Sequence, residues 1–424
     1  MDVITPDNIE PHARNIIEKL QQHGFSAYVV GGGVRDQMVG IKPKDFDIAT
    51  DAHPEQIKAL FDNCRLIGHR FRLAHVFFRR HIIEVATFRA GHDQTNDEKL
   101  ASTRQGIIVR DNVYGTLAQD AIRRDFTINA LYYDPVADHI IDLVGGVEDF
   151  EKGLVKIIGD PLTRLQEDPV RILRAIRIAN KLGFNIDTAT AKEIPGIAPQ
   201  LVHMPPGRLF DEYTKLFLHG QAMPNFNSLR QFNVLPHLFS NIEACMAHPQ
   251  NATLIESALL NTDKRLQEGK TVNPAFLLSV LLWPMLHTHL TQLQNNEPSV
   301  NHAYLFAQAV DLTLSHQVKH IAIPRQFSAV IRQIWALQHP LEQRHPKRIE
   351  PLLTNQRFRA AYDFLLLRGN SGEISPDAGE WWTQIQTANA ATRTEMIAGL
   401  NTIVVSSATN KKHRRRRKPK RTSD

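Results

Sequence analysis

The chain has 424 residues, 42% of them apolar, which predicts a globular protein of two to four domains. Its only cysteines, Cys64 and Cys245, lie far apart; this argues against a disulfide framework or a thiolate zinc site and suits a reducing cytoplasm. Of the net charge of +6, the segment Lys411–Asp424 carries nine Lys or Arg and one Asp, leaving 41 basic and 43 acidic residues elsewhere, a net of −2.

In chain order, MDVITPDNIE has neither the basic start nor the apolar core of a signal peptide. Residues 8–23 have helical spacing, with Ile9, Ala13, Ile16, Ile17 and Leu20 on one face and Gly24 as a stop. Short β-rich runs follow at 27–30, 46–49, 64–68, 75–78 and 81–88, with Arg79-Arg80 as a hairpin turn and a helix over 54–62. A further pair, ALYYD and HIIDLV, flanks a turn at Pro135–Asp138. The first 150 residues therefore predict a mixed α/β domain. From about residue 160 onward almost no strand signal remains. Helices are expected over 172–182, 208–219, 252–268, 274–292, 302–318 and 325–337, punctuated by Pro205-Pro206, Pro236 and Pro324. The longest apolar stretch, Ala275–Leu286, is too short to span a bilayer and predicts a buried helix. The terminal block KKHRRRRKPKR cannot bury itself, is expected to be disordered, and suits binding to a polyanion.

Two stretches carry candidate chemistry. GGG at 31–33 ends a strand and opens a helix, which turns backbone N–H groups toward an approaching anion, and Arg35 adds charge. Asp45-Phe46-Asp47 places two carboxylates on one face of a strand, with Phe46 directed to the core. Such a pair repels unless a cation lies between, which is what a two-metal phosphoryl-transfer site uses. Each motif alone has an ordinary explanation: a glycine turn, a solvated strand face. A third acid, Glu84, sits within the apolar run Ile82–Ala86, where it needs a partner: a metal, or a core salt bridge to an arginine.

Glycines followed by Asp-x-Asp, together with RRDFTINAL (123–131), DLVGG (142–146), EDPVRILRAIR (167–177) and RLFDEYTKLF (208–217), resemble the nucleotidyltransferase superfamily of DNA polymerase β type. The likeness is to its bacterial class II branch, which holds tRNA CCA-adding enzymes and bacterial poly(A) polymerases, and covers about residues 25–220. It implies an α+β protein: a mixed-sheet head with a polymerase β-like palm (1–148), a helical neck that recognises the base (149–220), a helical RNA-binding body (221–405) and the basic tail (406–424). By the resemblance, Gly32, Gly33, Arg35, Arg124 and Asn129 would meet the nucleotide's phosphates and sugar. Glu167, Asp168 and Arg171 would read the base; Asp168 and Arg171 lie three apart on a helix face, where an ordinary i,i+3 ion pair is the competing explanation. Asp45 and Asp47 would be catalytic and hold Mg²⁺ (or Mn²⁺), with Glu84 or Asp125 as the third functional acid. Arg124 and Asp125 also fit a structural pair at a helix start.

Gly68-His69-Arg70-Phe71-Arg72-Leu73-Ala74-His75-Val76 resembles the Gly-Arg-Arg-Phe-x-Leu-x-His-Val segment of the poly(A) branch, with His69 replacing the first arginine. The resemblance thus implies ATP as donor and RNA 3′ ends as acceptor. Arg70, Arg72 and tail residues Arg414, Arg415, Arg416 and Arg417 are the candidates for RNA contact, with RNA-degradation proteins as possible tail partners. A CCA-adding enzyme and a non-catalytic RNA-binding protein are the alternatives; the intact acid pair argues against the second. No clustered His…His-Asp pattern accompanies the motifs: His92-Asp93 is a lone pair, and His287 and His289 fall on opposite sides of a helix.

Overall fold

The structure, a computed structural model, describes residues 4–68, 72–79, 81–90 and 113–400, together with the backbone of two short strands at 103–104 and 107–108. Helix α1 (Pro11–Gln22) forms where expected: Glu10 caps it by accepting from Ala13 N at 3.0 Å, and Ala13, Ile16, Ile17 and Leu20 are all buried. The strands are β1 (Ala27–Val30), β2 (Asp47–Thr50), β3 (Cys64–Ile67), β4 (Leu73–Phe78) and β5 (His81–Thr87), the short pair β6 (Thr103–Arg104) and β7 (Ile107–Ile108), then β8 (Leu131–Asp134) and β9 (His139–Asp142). Seven of them form one sheet in the order β3-β4-β5-β2-β1-β8-β9. Every neighbouring pair in it is antiparallel except β2 and β5, so the sheet is mixed as expected.

The connection from β1 to β2 runs through α2 (Gly32–Met38), and α3 (Pro54–Leu60) leads into β3. Helix α4 (Leu117–Arg123) precedes a 3₁₀ turn, Thr127–Asn129. The buried residues Val30, Ala49, Phe88, Ala121, Ala130, Tyr132 and Ile158 pack together, so the carboxyl end of β1 rests on a rigid apolar base. Helix α5 (Gly146–Glu151) is capped by the Asp142 carboxylate, which accepts from the backbone N–H of Val144, Gly146 and Val147. Gly146 lies so close to the 3₁₀ turn that a Cβ there would stand 2.3 Å from Thr127 O. Helices α6 (Pro161–Glu167) and α7 (Val170–Leu182) follow. α7 buries Val170, Ile172, Leu173, Ala175, Ile176, Ile178 and Ala179. Truncating one of these, such as Ile176→Ala, would cost about 2–5 kcal/mol.

The chain divides into two compact units, Met1–Met204 with Pro224–His237, and Pro205–Met223 with the residues from Leu238 onward. After the sheet, Leu154–Val155 and Asn185–Ile186 form a two-residue parallel ladder in the first unit. The second unit is helical among its described residues. The apolar stretch Ala275–Leu286, expected as one helix, is split between Pro274–Leu281 and Trp283–Asn296; Pro284, which lacks an N–H, stands in the first turn of the second. The helix expected to end at 337 runs over Arg325–Gln343, through Pro340; Trp335, Gln338 and Leu341 are buried along it, and tertiary packing outweighs the one lost bond. Among the described residues no helix is long and apolar enough to cross a membrane.

Candidate active site

Strand register assembles the site. Val30, the last residue of β1, pairs with Asp47, the first of β2; Asp47 pairs with Glu84 on β5, and Glu84 with His75 on β4. Asp47 and the third acid therefore share one row across the sheet beside the glycine turn that follows Val30, and Asp45 precedes Asp47 by two residues. Gly31 makes the turn at φ 77°, ψ −129°, a conformation strained for any residue with a Cβ, and α2 starts immediately after it. Gly33 packs against the chain at Asp45 and Phe46: a Cβ there would be 3.5 Å from both Asp45 O and the Phe46 ring. Phe46 is buried while Asp45 and Asp47 face outward, as the alternation predicts. Asp45 also lines a cleft of about 1010 Å³ with Lys42, Lys44 and His81.

Asp47 has an open surface, but the surrounding chain strips much of the water from its carboxylate. That desolvation, with the Glu84 and Asp45 charges added and the Arg124 charge opposing, pushes its pKa up to about 6. Glu84 is half exposed and lies 3.5 Å from His75 Nε2. Among the described residues no three His, Cys, Asp or Glu converge on one ion position. Two carboxylates with open coordination still fit a hard divalent cation whose remaining ligands are water and substrate phosphate.

Arg124 stands over the glycine turn, where a Cβ on Gly31 would be 3.5 Å from its Nη1. It is oriented by Asp120, which accepts from its Nε at 3.1 Å and Nη2 at 2.9 Å, and by the Tyr132 hydroxyl at 3.0 Å. Burial would raise the Asp120 pKa, yet Arg124, Arg123 and the Tyr132 hydrogen bond hold it below the usual range. The Arg124 guanidinium thus stays charged beside both the turn and Asp47.

Arg35 is placed differently from a phosphate contact. It is buried, its Nε and Nη2 donate to Asp36 Oδ1 at 3.0 and 2.6 Å, and its Nη1 donates to Asn129 Oδ1 at 2.5 Å. Asn129 in turn donates to Asp125 Oδ1 at 3.0 Å. Asp125 also accepts from Phe126 N at 2.9 Å and from Arg174 Nε and Nη2 at 2.7 and 2.6 Å. Burial pushes Asp125 upward, but Arg174 and these hydrogen bonds hold it below the ordinary carboxylate range. The charges acting on Asp47 are Glu84, Arg124 and Asp45, so the row across the sheet gathers Glu84 and leaves Asp125 in the bridge to α7. Asp36 meets Lys181 Nζ at 2.5 Å, a second tie between α2 and α7.

The face expected from Asp168 and Arg171 is divided. Arg171 Nη1 donates to Glu167 Oε2 at 3.0 Å and to Arg164 O, while Asp168 closes α6 and accepts from Val170 N at 3.3 Å. Arg164 joins this cluster to the arginine pair: its Nη2 donates to the carbonyls of Arg123 and Arg124 at 2.8 Å each, and its Nη1 meets Glu167 at 2.7 Å. Sequence reasoning missed Asp120, Arg164, Arg174 and Lys181, although Arg174 lies inside the quoted EDPVRILRAIR, one turn beyond Arg171. Arg72 is exposed and paired with Glu55; Arg70 and Arg414–Arg417 lie outside the described residues.

The chain is similar to known proteins over most of its length. The poly A polymerase head domain model matches residues 27–156, the model described as a probable RNA and SrmB-binding site of polymerase A matches 183–246, and that of the polymerase A arginine-rich C-terminus matches 299–422. Poly(A) polymerase I of Haemophilus influenzae is 42% identical over 93% of this chain and 88% of its own. That of Salmonella typhimurium is 41% identical over 91% and 84%. A CCA-adding enzyme of Leuconostoc mesenteroides is 36% identical over 53% and 54%. Among solved structures, the CCA-adding enzyme of Bacillus stearothermophilus with CTP superposes with a TM-score of 0.56 over 94% of each chain at 22% identity, which shows the shared fold.

Proposed function

Since the chain belongs to the bacterial poly(A) polymerase family, we propose that Asp45 and Asp47 are the catalytic carboxylates of its reaction, the template-independent addition of AMP from ATP to the 3′-hydroxyl of RNA. The observation that carries this assignment is the row Val30–Asp47–Glu84, which sets Asp47 beside a glycine turn and within reach of the Glu84, Arg124 and Asp45 charges. The turn offers backbone N–H groups at the start of α2 to the triphosphate, and Arg124 adds a fixed positive charge. Gly32 and Gly33 let the phosphates approach the backbone closely. Asp45 and Asp47 would hold Mg²⁺, with Mn²⁺ as a substitute, and Glu84 tunes them as the neighbouring charge. When bound, the metal would lower the pKa of the attacking hydroxyl and neutralise charge on the departing pyrophosphate.

Arg35 and Asp125 act as positioning residues, holding Asn129 between them beside the nucleotide's sugar. Glu167, Arg171 and Asp168 supply donors and acceptors for the adenine edge, since no template strand selects the base. Arg70, Arg72 and the tail arginines Arg414–Arg417 attract RNA phosphates; a protein of the RNA-degradation machinery is the competing partner of the tail. Asp45→Asn tests the core assignment. Nucleotide addition should fall by orders of magnitude with the melting temperature retained, and near-parental turnover at saturating Mg²⁺ would remove Asp45 from the site.

A further inference from the structure

The second unit contains a cleft of about 630 Å³ that the reaction described above does not use. It lies among the helices Pro249–Gln267, Pro274–Leu281, Arg325–Gln343 and Phe358–Asn370. Its inner surface is apolar and only partly covered: Val272, Phe276, Val330 and Leu366 are half-buried. Five cations line it from two stretches of chain, Lys264, Arg265 and Lys270 from one and Arg357 and Arg359 from the other, against two carboxylates, Glu268 and Asp363. Those carboxylates are engaged by Lys270 at 2.6 Å and Arg359 at 3.0 Å. Among the described residues Lys264, Arg265 and Arg357 make no ion pair with a carboxylate, though the Lys264 and Arg265 charges reach Glu268; Arg265 donates weakly to Thr271 O at 3.4 Å, and Arg357 to Gln333 Oε1 at 2.9 Å. The stretch Lys264–Lys270 lies between the residues matched by the RNA-binding model and by the arginine-rich model.

We propose that this cleft is a second binding site for single-stranded RNA, one that holds a base against Phe276 and the neighbouring phosphates on Lys264, Arg265 and Arg357. An apolar, aromatic floor inside a ring of excess positive charge is what a nucleobase on a phosphodiester chain requires: each base has a π-face, and each linkage a negative charge. Cations from two separate stretches suit a chain threading past more than a compact triphosphate, which would need its donors in one nest. The amides of Asn261, Gln356 and Asn370 add hydrogen-bonding groups without fixing a sequence. The proposal rests on RNA being the substrate.

The test uses the full chain with fluorescent oligoadenylates, one long and one short, titrated over a range of salt. Lys264→Glu/Arg265→Glu should weaken long-oligomer binding about tenfold and reduce the slope of log affinity against log salt by about 1.4, two contacts at about 0.7 each. Phe276→Leu keeps apolar bulk but removes the ring, and should weaken the long oligomer several-fold with the slope unchanged. Binding and adenylation of the short oligomer should match the parent in both variants. If the double reversal lowers the melting temperature, Arg357→Gln gives the same readout, with a loss of about 0.7 in slope. Long-oligomer affinity and slope equal to the parent's would overturn the proposal and leave the cleft to a protein surface; an equal loss for both oligomers would overturn it as well. Failure of the polymerase assignment is distinct, because the parent itself would then extend neither oligomer.

Discussion

Arg174→Ala removes the strongest tie between α7 and the turn that carries Asn129. The Asp125 side chain is 11% exposed and accepts two hydrogen bonds from Arg174, at 2.7 and 2.6 Å. After the substitution this buried carboxylate keeps only Asn129 and the Phe126 N–H of the donors described above. Stripping one partner from a buried ion pair costs about 3–5 kcal/mol. Arg174 is 34% exposed, and water partly replaces what is lost, so about 2–3 kcal/mol is expected here. The pH dependence identifies the cause. Asp125 has a lowered folded pKa, so its contribution is present above the unfolded value of 3.8 and is lost as pH falls through the folded one. Without Arg174, burial dominates and the folded pKa rises, so the variant loses that contribution at higher pH. Urea unfolding of parent and variant should therefore show a gap at neutral pH that narrows through the acid range. Arg174→Lys should recover part of the stability, and the apparent KM for ATP should rise in Arg174→Ala as Asn129 loses its anchor. A gap of constant size across pH, or none at neutral pH, would refute the electrostatic account.

Four further outcomes follow from the same geometry. Asp47→Asn should abolish addition yet leave the metal-free chain at least as heat-stable as the parent at neutral pH: a folded pKa of about 6 above an unfolded 3.8 means that ionised Asp47 opposes folding as pH rises through that window, and a melting temperature below the parent's would contradict it. For the same reason Mg²⁺ binding, followed by calorimetry, should weaken as pH falls through about 6, and pH-independent affinity would place the metal elsewhere. Gly146→Ala puts a Cβ against Thr127 O and should cost about 1–3 kcal/mol by displacing the turn before Asn129, which thermal unfolding would register; a neutral effect would show that the turn yields freely. Arg171→Ala should relax the preference for ATP over other nucleotides more than it weakens triphosphate binding, as competition with each nucleotide would show; an unchanged preference would confine Arg171 to its structural bonds.

Local patterns in the sequence carried most of the fold. The stripe Ala13–Leu20, the alternation of Asp45, Phe46 and Asp47, and the apolar face of α7 each follow from side-chain periodicity, which any window of sequence exposes. What the sequence did not disclose is non-local. That β2 pairs in parallel with β5, bringing Glu84 beside Asp47, is a choice of register between strands more than thirty residues apart. Nor does sequence distinguish an arginine that faces substrate from one that faces inward. Arg35 and Arg124 both occur in motifs, yet Arg35 is enclosed by Asp36 and Asn129, while Arg124 is held by Asp120 over the glycine turn. Asp125 and Glu84 are equal candidates in the sequence; in the structure Arg174 and Asn129 bond to the Asp125 oxygens, while Glu84 pairs in register with Asp47. Pro284 stands in the first turn of the second of two helices where one was expected, whereas Pro340, near the end of a well-packed helix, does not end it.

The account is tested most directly by supplying the purified chain with an RNA oligomer bearing a free 3′-hydroxyl, Mg²⁺ and each nucleoside triphosphate in turn, alongside Asp45→Asn and Asp47→Asn. The expected result is a ladder of long additions with ATP alone, little or none with CTP, GTP or UTP, and none from either variant. Extension that required CTP and stopped after completing a tRNA end, or ATP-dependent tails made equally well by both variants, would contradict it.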